Sequence, residues 1–384
     1  GDKVMVTKND SALFAVRIGR RPAAEAGFKI IGAHCDSPTF RIKPNAVMPG
    51  EGGIARLNTE VYGGPIMSTW FDRPLSLAGR VLLRGASPLA PETRLLHIKQ
   101  PLLVIPNLAI HFNRQVNDGV KLSKQKDMLP LMFLAGQQDL DQTIADELGV
   151  QASDIMDYDL YLYDTTPACT VGMHGELVSA GRLDDLSMVH AGLEAMLAAD
   201  TNCQTQVLAI FDNEETGSGT KQGAHSPILR DILLRVMEKA WGKTEGAGLA
   251  SEMARAVEHS FMVSADNAHA FHPNYAEKYD PTNHPVMGGG PVVKINAAQK
   301  YATDARSAAI FRGICQQAGV PCQTFVNHSD VAGGSTLGNI LTASLPLSGV
   351  DMGNPIWAMH SVRETASAAD HDYCIRAFTT FLNL

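Results

Sequence analysis

Apolar positions along the chain follow two different periods. Short unbroken runs have the length and the Val, Ile and Phe content of buried strands: "ALFAVRI" (12–18), "FKIIGA" (28–33), "VLAIF" (207–211), "FMVSA" (261–265) and "ILTASLPLSGV" (340–350). Between them, Leu186, Val189, Leu193, Met196 and Leu197 recur at helical spacing and predict a helix over 185–199. Asp184 and Asp185 stand where that helix needs an N-cap. Residues 225–240 and 304–318 also read as helices. Strands alternating with helices predict an α/β domain, with a mixed, largely parallel sheet and flanking helices.

The pattern changes over 54–170, which is rich in Pro, Gly and β-branched residues and nearly lacks helical periodicity. "AGRVLLRG", "LLVIPNLAIHF" and "YDLYLYD" read as strands. The sequence therefore predicts a β-rich domain over 58–173, inserted into an α/β domain made of 1–57 and 174–384.

Composition narrows the function classes. The 384 residues are 45% hydrophobic and 19% charged, as in an ordinary globular chain. A net charge of −8 argues against a general affinity for nucleic acid or anionic membrane, because both need a basic surface. No run reaches the ~18–20 apolar residues of a membrane span, and no signal peptide is expected. Six scattered cysteines without a Cys-x-x-Cys pair read as reduced thiols of a cytoplasmic protein. The chain opens on Gly1 rather than Met, so the natural start is expected to lie upstream.

Chemistry concentrates where the apolar runs stop. "KIIGAHCDSP" yields His34 and Asp36, and "VLAIFDNEETGS" yields Glu214 and Glu215. "FMVSADNAHAFHP" yields Asp266 with His269 and His272 behind it, and "LSGVDMGNPIWAMHS" yields His360 after a short loop. Taken singly, each has a bland explanation: a surface His–Asp pair, a solvated Glu–Glu turn, or an aspartate that caps a helix. Together they form one set, because the carboxyl ends of strands in an open α/β sheet lie along a single edge. Carboxylates so close repel one another, so a positive group should accompany them. Imidazoles and carboxylates in this mixture suit two divalent cations, ~3.5–4 Å apart and joined by a shared carboxylate. One further carboxylate is then needed as general base.

The motifs "AHCDSP", "GRLDD", "DNEETGS", "SADNAHAFHPNY", "GGPVVKINAAQKYATD" and "AMHSVRE" resemble, in order and from about Val4 to Phe381, those of the aspartyl aminopeptidase family of dinuclear zinc exopeptidases. The resemblance implies that His34 and His360 are terminal ligands on separate zinc ions and that Asp184 bridges them, with Asp185 as the runner-up. Glu215 would join the ion held by His360, and Asp266 the ion held by His34. Glu214 would be the general acid/base, and Asp36 would orient His34. His269, Lys294 and Tyr301 would contact substrate, Lys294 as partner for an acidic N-terminal side chain. His111, on the inserted domain, would reach a partner subunit's active site. The same family implies that this domain dimerises and that dimers build a larger tetrahedral dodecamer. Relatives carry a further N-terminal segment before "KVMVTKND".

The expected activity is removal of single N-terminal residues, Asp or Glu, from peptides by a hydroxide shared between two zinc ions. Cobalt or manganese would also suit these ligands. Two alternatives keep the metals: a neutral, Leu-type preference, or a deacylase or carboxypeptidase of the same architecture. A non-catalytic shell protein would need a damaged site, whereas His34, Asp184, Glu214, Glu215, Asp266 and His360 are all present.

Overall fold

The computed structural model describes residues 1–133, 140–241 and 247–384. These form two compact units. The first combines Gly1–Ser37, Cys169–Met359 and Glu364–Leu384; the second combines Pro38–Ala168 with His360–Arg363.

The first unit is built on an eight-stranded sheet among the described residues. Its order is Lys3–Lys8, Ala12–Arg17, Thr205–Phe211, Phe28–His34, Phe261–Ala265, Ser348–Gly353, Val292–Ile295 and Gln323–Val326. The four central strands are parallel, and the two at the N-terminal edge run antiparallel. Every residue of Phe28–His34 and Thr205–Phe211 is buried, because helices cover both faces of a parallel sheet. Phe14, Phe28, Ile30 and Phe211 pack on one face, and Ile31, Phe311 and Phe378 on the other. The sheet and its helices make this a mixed α/β fold.

Two local expectations are corrected. The run 340–350 is not one strand: Leu337–Ser344 is a helix and Ser348–Gly353 a strand. Leu337, Leu341 and Leu345 are buried at a four-residue spacing, and Pro346 stops the helix before the strand begins. The helix expected over 185–199 spans Leu183–Ala198, and neither Asp184 nor Asp185 caps it. Arg182 occupies the N-cap with φ 63, and the two aspartates depart from helical geometry because their carboxylates and backbone are held by other elements. The other end of this helix is closed by the buried Arg17 guanidinium, which donates to the carbonyl oxygens of Met196 and Ala199. The helix Ala305–Ala318 matches its expected range and opens on a capping box between Asp304 and Ser307.

The second unit is a closed barrel. Ile155–Asp164, Thr39–Pro49, Ile54–Tyr62, Leu131–Phe133, Leu103–Val104 and Leu75–Ser87 pair in that order, and Leu75–Ser87 pairs again with Ile155–Asp164. Closure removes open strand edges. Phe40, Trp70, Leu57, Leu75 and Leu160 fill it, with the Phe40 and Trp70 rings edge-to-face at 5.1 Å. The sequence set the boundary at 57/58, whereas the chain enters this unit at Pro38, because Thr39–Pro49 pairs antiparallel with Ile54–Tyr62. "LLVIPNLAIHF" is mostly not strand: Leu103–Val104 is a short strand, Ile105 adds one parallel bridge to Phe71, and Leu108, Ile110 and Phe112 beyond it are exposed. No described helix is long and apolar enough to cross a membrane.

Candidate metal centre

Register brings the chemistry to one edge of the large sheet. Phe211 lies beside His34 in the parallel pairing, and Ser264 beside Gly32, so three neighbouring strands release His34, the 212–216 turn and Asp266 together.

His34 is buried. Its Nε2 lies 3.6 Å from Asp184 Oδ1 and 4.0 Å from Asp266 Oδ1, while its Nδ1 faces Asp36 Oδ1 at 3.4 Å. Burial disfavours an imidazolium here, but Asp185 foremost, then Asp36 and Asp184, outweigh it and hold the pKa well above the ordinary histidine value.

Asp36 also reaches the glutamate turn. Its two carboxylate oxygens accept the backbone N–H groups of Glu214 at 3.0 Å and Glu215 at 3.1 Å. The turn needs left-handed residues on both flanks, supplied by Asn213 (φ 62) and Gly217 (φ 91). Asn213 Oδ1 accepts from Thr220 Oγ1 at 2.9 Å and Gln222 Nε2 at 2.7 Å, and its carbonyl accepts from Ser218 N at 2.8 Å. Adjacent glutamates are thus fixed on a rigid support. Burial, and next Asp266, push the Glu214 carboxyl up to about 7.

The backbone around Asp184 is gripped from several sides. Glu364 Oε2 accepts Asp184 N–H at 3.0 Å, Ser37 Oγ donates to the Asp184 carbonyl at 2.8 Å, and Asn267 Nδ2 donates to the Leu183 carbonyl at 2.8 Å. The Asp184–Asp185 peptide is cis. Asp185 Oδ2 accepts the N–H of His34 at 3.2 Å, and its Oδ1 faces Asn267 Nδ2 at 3.4 Å. Burial pushes the pKa values of Asp185 and Asp266 up.

Ligand-type atoms of His34, Asp184, Asp185 and Asp266 lie within 4.8 Å of one another, as do those of His34, Glu214 and Glu215; atoms of Asp184 and Glu215 share that spacing. Ligands at ~2.0–2.2 Å from a tetrahedral zinc sit about 3.3–3.6 Å apart. The 3.6 Å between His34 Nε2 and Asp184 Oδ1 matches that spacing, the 4.0 Å to Asp266 Oδ1 is somewhat wider, and the imidazole–carboxylate mixture is the donor chemistry zinc accepts.

Beside this cluster the buried Lys294 places Nζ 3.5 Å from Asp266 Oδ2 and 5.7 Å from the Tyr301 ring centroid. Burial lowers the lysine's pKa, and the charges around it, Asp266 first, more than reverse that. His269 is exposed, with its ring 5.8 Å from that of Phe325. His360 and His111 belong to the barrel unit. His360 has φ 70 and its Nδ1 lies 3.1 Å from the Gly64 carbonyl; His111 is exposed on the irregular segment after Leu103–Val104. Glu364, Ser37 and Asn267 lie inside the motifs "MHSVRE", "HCDSP" and "SADNAH" but were given no role from sequence; their side chains bind backbone, which leaves no signature in residue spacing.

A family model described as Aminopeptidase I zinc metalloprotease (M18) matches residues 1–382. The "Probable M18 family aminopeptidase 2" of Clostridium acetobutylicum is 51% identical over 387 residues, covering 100% of this chain and 88% of that protein. Among solved structures, the chain resembles one in the "Cryo-EM structure of the Ape4 and Nbr1 complex", with a TM-score of 0.93, 35% identity, and coverage of 100% of this chain and 76% of that one. It also resembles the "mApe1 dodecamer" of S. cerevesiae, with a TM-score of 0.83, 25% identity, and coverage of 99% and 85%.

Proposed function

The chain belongs to the M18 family of aminopeptidase I zinc metalloproteases, and from that premise we propose a dinuclear zinc aminopeptidase that removes single N-terminal residues, Asp or Glu by preference. Membership makes it a metal-dependent exopeptidase; the two-ion count, the acidic preference and the residue roles are our reading. The observation that carries it is the convergence of His34 Nε2, Asp184, Asp266 and the Glu214–Glu215 turn at one edge of a parallel sheet.

In this reading His34 and Asp266 hold one zinc, His360 and Glu215 hold the second, and Asp184 bridges. Asp184 is favoured over Asp185 because both Asp185 oxygens face donors of the protein itself. Zinc, when bound, supplies Lewis-acid polarisation of a carbonyl and lowers the pKa of water from 15.7 to about 7. Glu214 takes the proton from the attacking water on its carboxylate and returns it to the leaving amine. Asp36 keeps the glutamate turn and the His34 ring in place, and the buried walls exclude bulk water. Lys294 spends one of its three N–H donors on Asp266, which leaves two for an acidic substrate side chain. Tyr301 beside it and His269 at the exposed rim complete the substrate contacts.

The deciding experiment is a panel of Asp, Glu, Leu and Lys chromogenic aminoacyl substrates, assayed with and without chelator. Turnover of Asp and Glu substrates above the others, abolished by chelator and restored by zinc, is the expected result. Insensitivity to chelator would remove the metal reading; a Leu-over-Asp order would remove only the acidic preference.

We also propose that the barrel unit dimerises, that His111 reaches the partner's active site and that dimers assemble into a tetrahedral dodecamer. Leu108, Ile110 and Phe112, 60%, 53% and 81% exposed, flank His111 and supply apolar surface for a second copy. The similarity to the mApe1 dodecamer supports the larger assembly. Phe112→Asp is expected to shift the mass measured by light scattering toward smaller species. An unchanged mass would place the contact elsewhere.

A further inference from the structure

Deepening the dinuclear reading, on which it rests, we infer that Glu364 is a positioning residue whose carboxylate fixes the orientation of Asp184, the bridge between the two ions. Glu364 is 2% exposed and opens the strand Glu364–Ser367, where it pairs with Ala180 of Leu177–Ala180. That pairing brings its side chain to the start of the helix carrying Asp184. Its Oε2 accepts the Asp184 N–H at 3.0 Å, while the Ser37 hydroxyl donates to the Asp184 carbonyl at 2.8 Å. The peptide units on both sides of Asp184 are therefore gripped.

This grip replaces what the helix cannot give. Asp184 sits at φ −82, ψ 108 inside a helical element, so its N–H and C=O are not aligned by the regular ladder. Left without partners in a buried setting, each such group would be destabilising. A carboxylate shared by two cations has to aim its oxygens in two directions at once, so a small rotation about its backbone affects both ions together. Glu364 is a buried carboxylate with one oxygen bonded to the Asp184 backbone, so it orients that backbone as well as filling space.

The test compares wild type with Glu364→Ala and Glu364→Gln. Glutamine keeps an acceptor oxygen at the same reach; alanine removes it. Zinc affinity, measured by competition with a chromogenic chelator, is expected to fall about 10–100-fold in Glu364→Ala, the loss typical of groups that orient metal ligands, and to stay at the wild-type level in Glu364→Gln. Amide hydrogen exchange at Asp184 in the metal-free protein should be slow in wild type and Glu364→Gln and fast in Glu364→Ala. Wild-type affinity in Glu364→Ala, or equal loss in both variants, would overturn the inference. Should Glu364→Ala not fold, Glu364→Asp, which withdraws the oxygen by one methylene, takes its place with the same expected weakening. If wild type takes up fewer than two zinc ions, the dinuclear reading fails, and the Asp184 exchange comparison still decides the role of Glu364.

Discussion

Glu214→Gln is expected to lower kcat by about 10²–10⁴-fold, or about 3–5 kcal/mol of transition-state stabilisation, with zinc content unchanged. The two side chains are nearly isosteric, but an amide cannot take up and return a proton. The bond from the residue 214 N–H to Asp36 is made by backbone, so the substitution leaves the turn in place. Glu215 also keeps its own N–H bond to Asp36, so the neighbouring carboxylate stays where it is. The loss should therefore fall on kcat and leave KM and metal stoichiometry close to wild type. Metal-loaded Glu214→Gln turning over at the wild-type rate would remove Glu214 from the proton-transfer step. A loss of zinc would instead place Glu214 among the ligands.

The readable part of this fold is the part in which local and tertiary preferences agree. "FKIIGA" and "VLAIF" read correctly as strands because a central parallel strand is apolar on both faces and short, and every residue of both strands is buried. The run at 340–350 was misread because its leucines also satisfy a helical period, and Pro346, which stops the helix short of the strand, lies inside it. "LLVIPNLAIHF" was misread for a different reason. Leu103 to Ile105 pair and are partly buried, but Pro106 interrupts the run and Leu108, Ile110 and Phe112 beyond it are exposed, while the residues alone look like core. Asp184 and Asp185 show the limit of capping rules: two acids before an apolar helix are what a cap looks like, yet buried partners hold both in non-helical geometry. Of the site, the residue types and their place at strand exits were legible. The bonds that aim them, from Glu364, Ser37 and Asn267 to backbone, were not, because a backbone acceptor or donor can be met from any sequence position.

Asp36→Ala is expected to damage metal binding and catalysis together. One carboxylate, 6% exposed at its side chain, faces His34 Nδ1 at 3.4 Å and accepts the N–H groups of both Glu214 and Glu215. It thus links His34, the proposed terminal metal ligand, to the turn that carries the proposed second ligand and the proposed base. Alanine frees the imidazole to rotate and leaves two amides without their acceptor, a cost of about 1–3 kcal/mol each if no water replaces it. The expected outcome is zinc affinity reduced about 10–100-fold, and a further fall in kcat that saturating zinc does not restore. Asp36→Asn offers one acceptor oxygen and turns an NH2 group toward the second amide, so it should lie between alanine and wild type on both measurements. Recovery of full kcat at saturating zinc in Asp36→Ala would confine Asp36 to orienting His34. Wild-type zinc affinity with a depressed kcat would confine it to holding the glutamate turn.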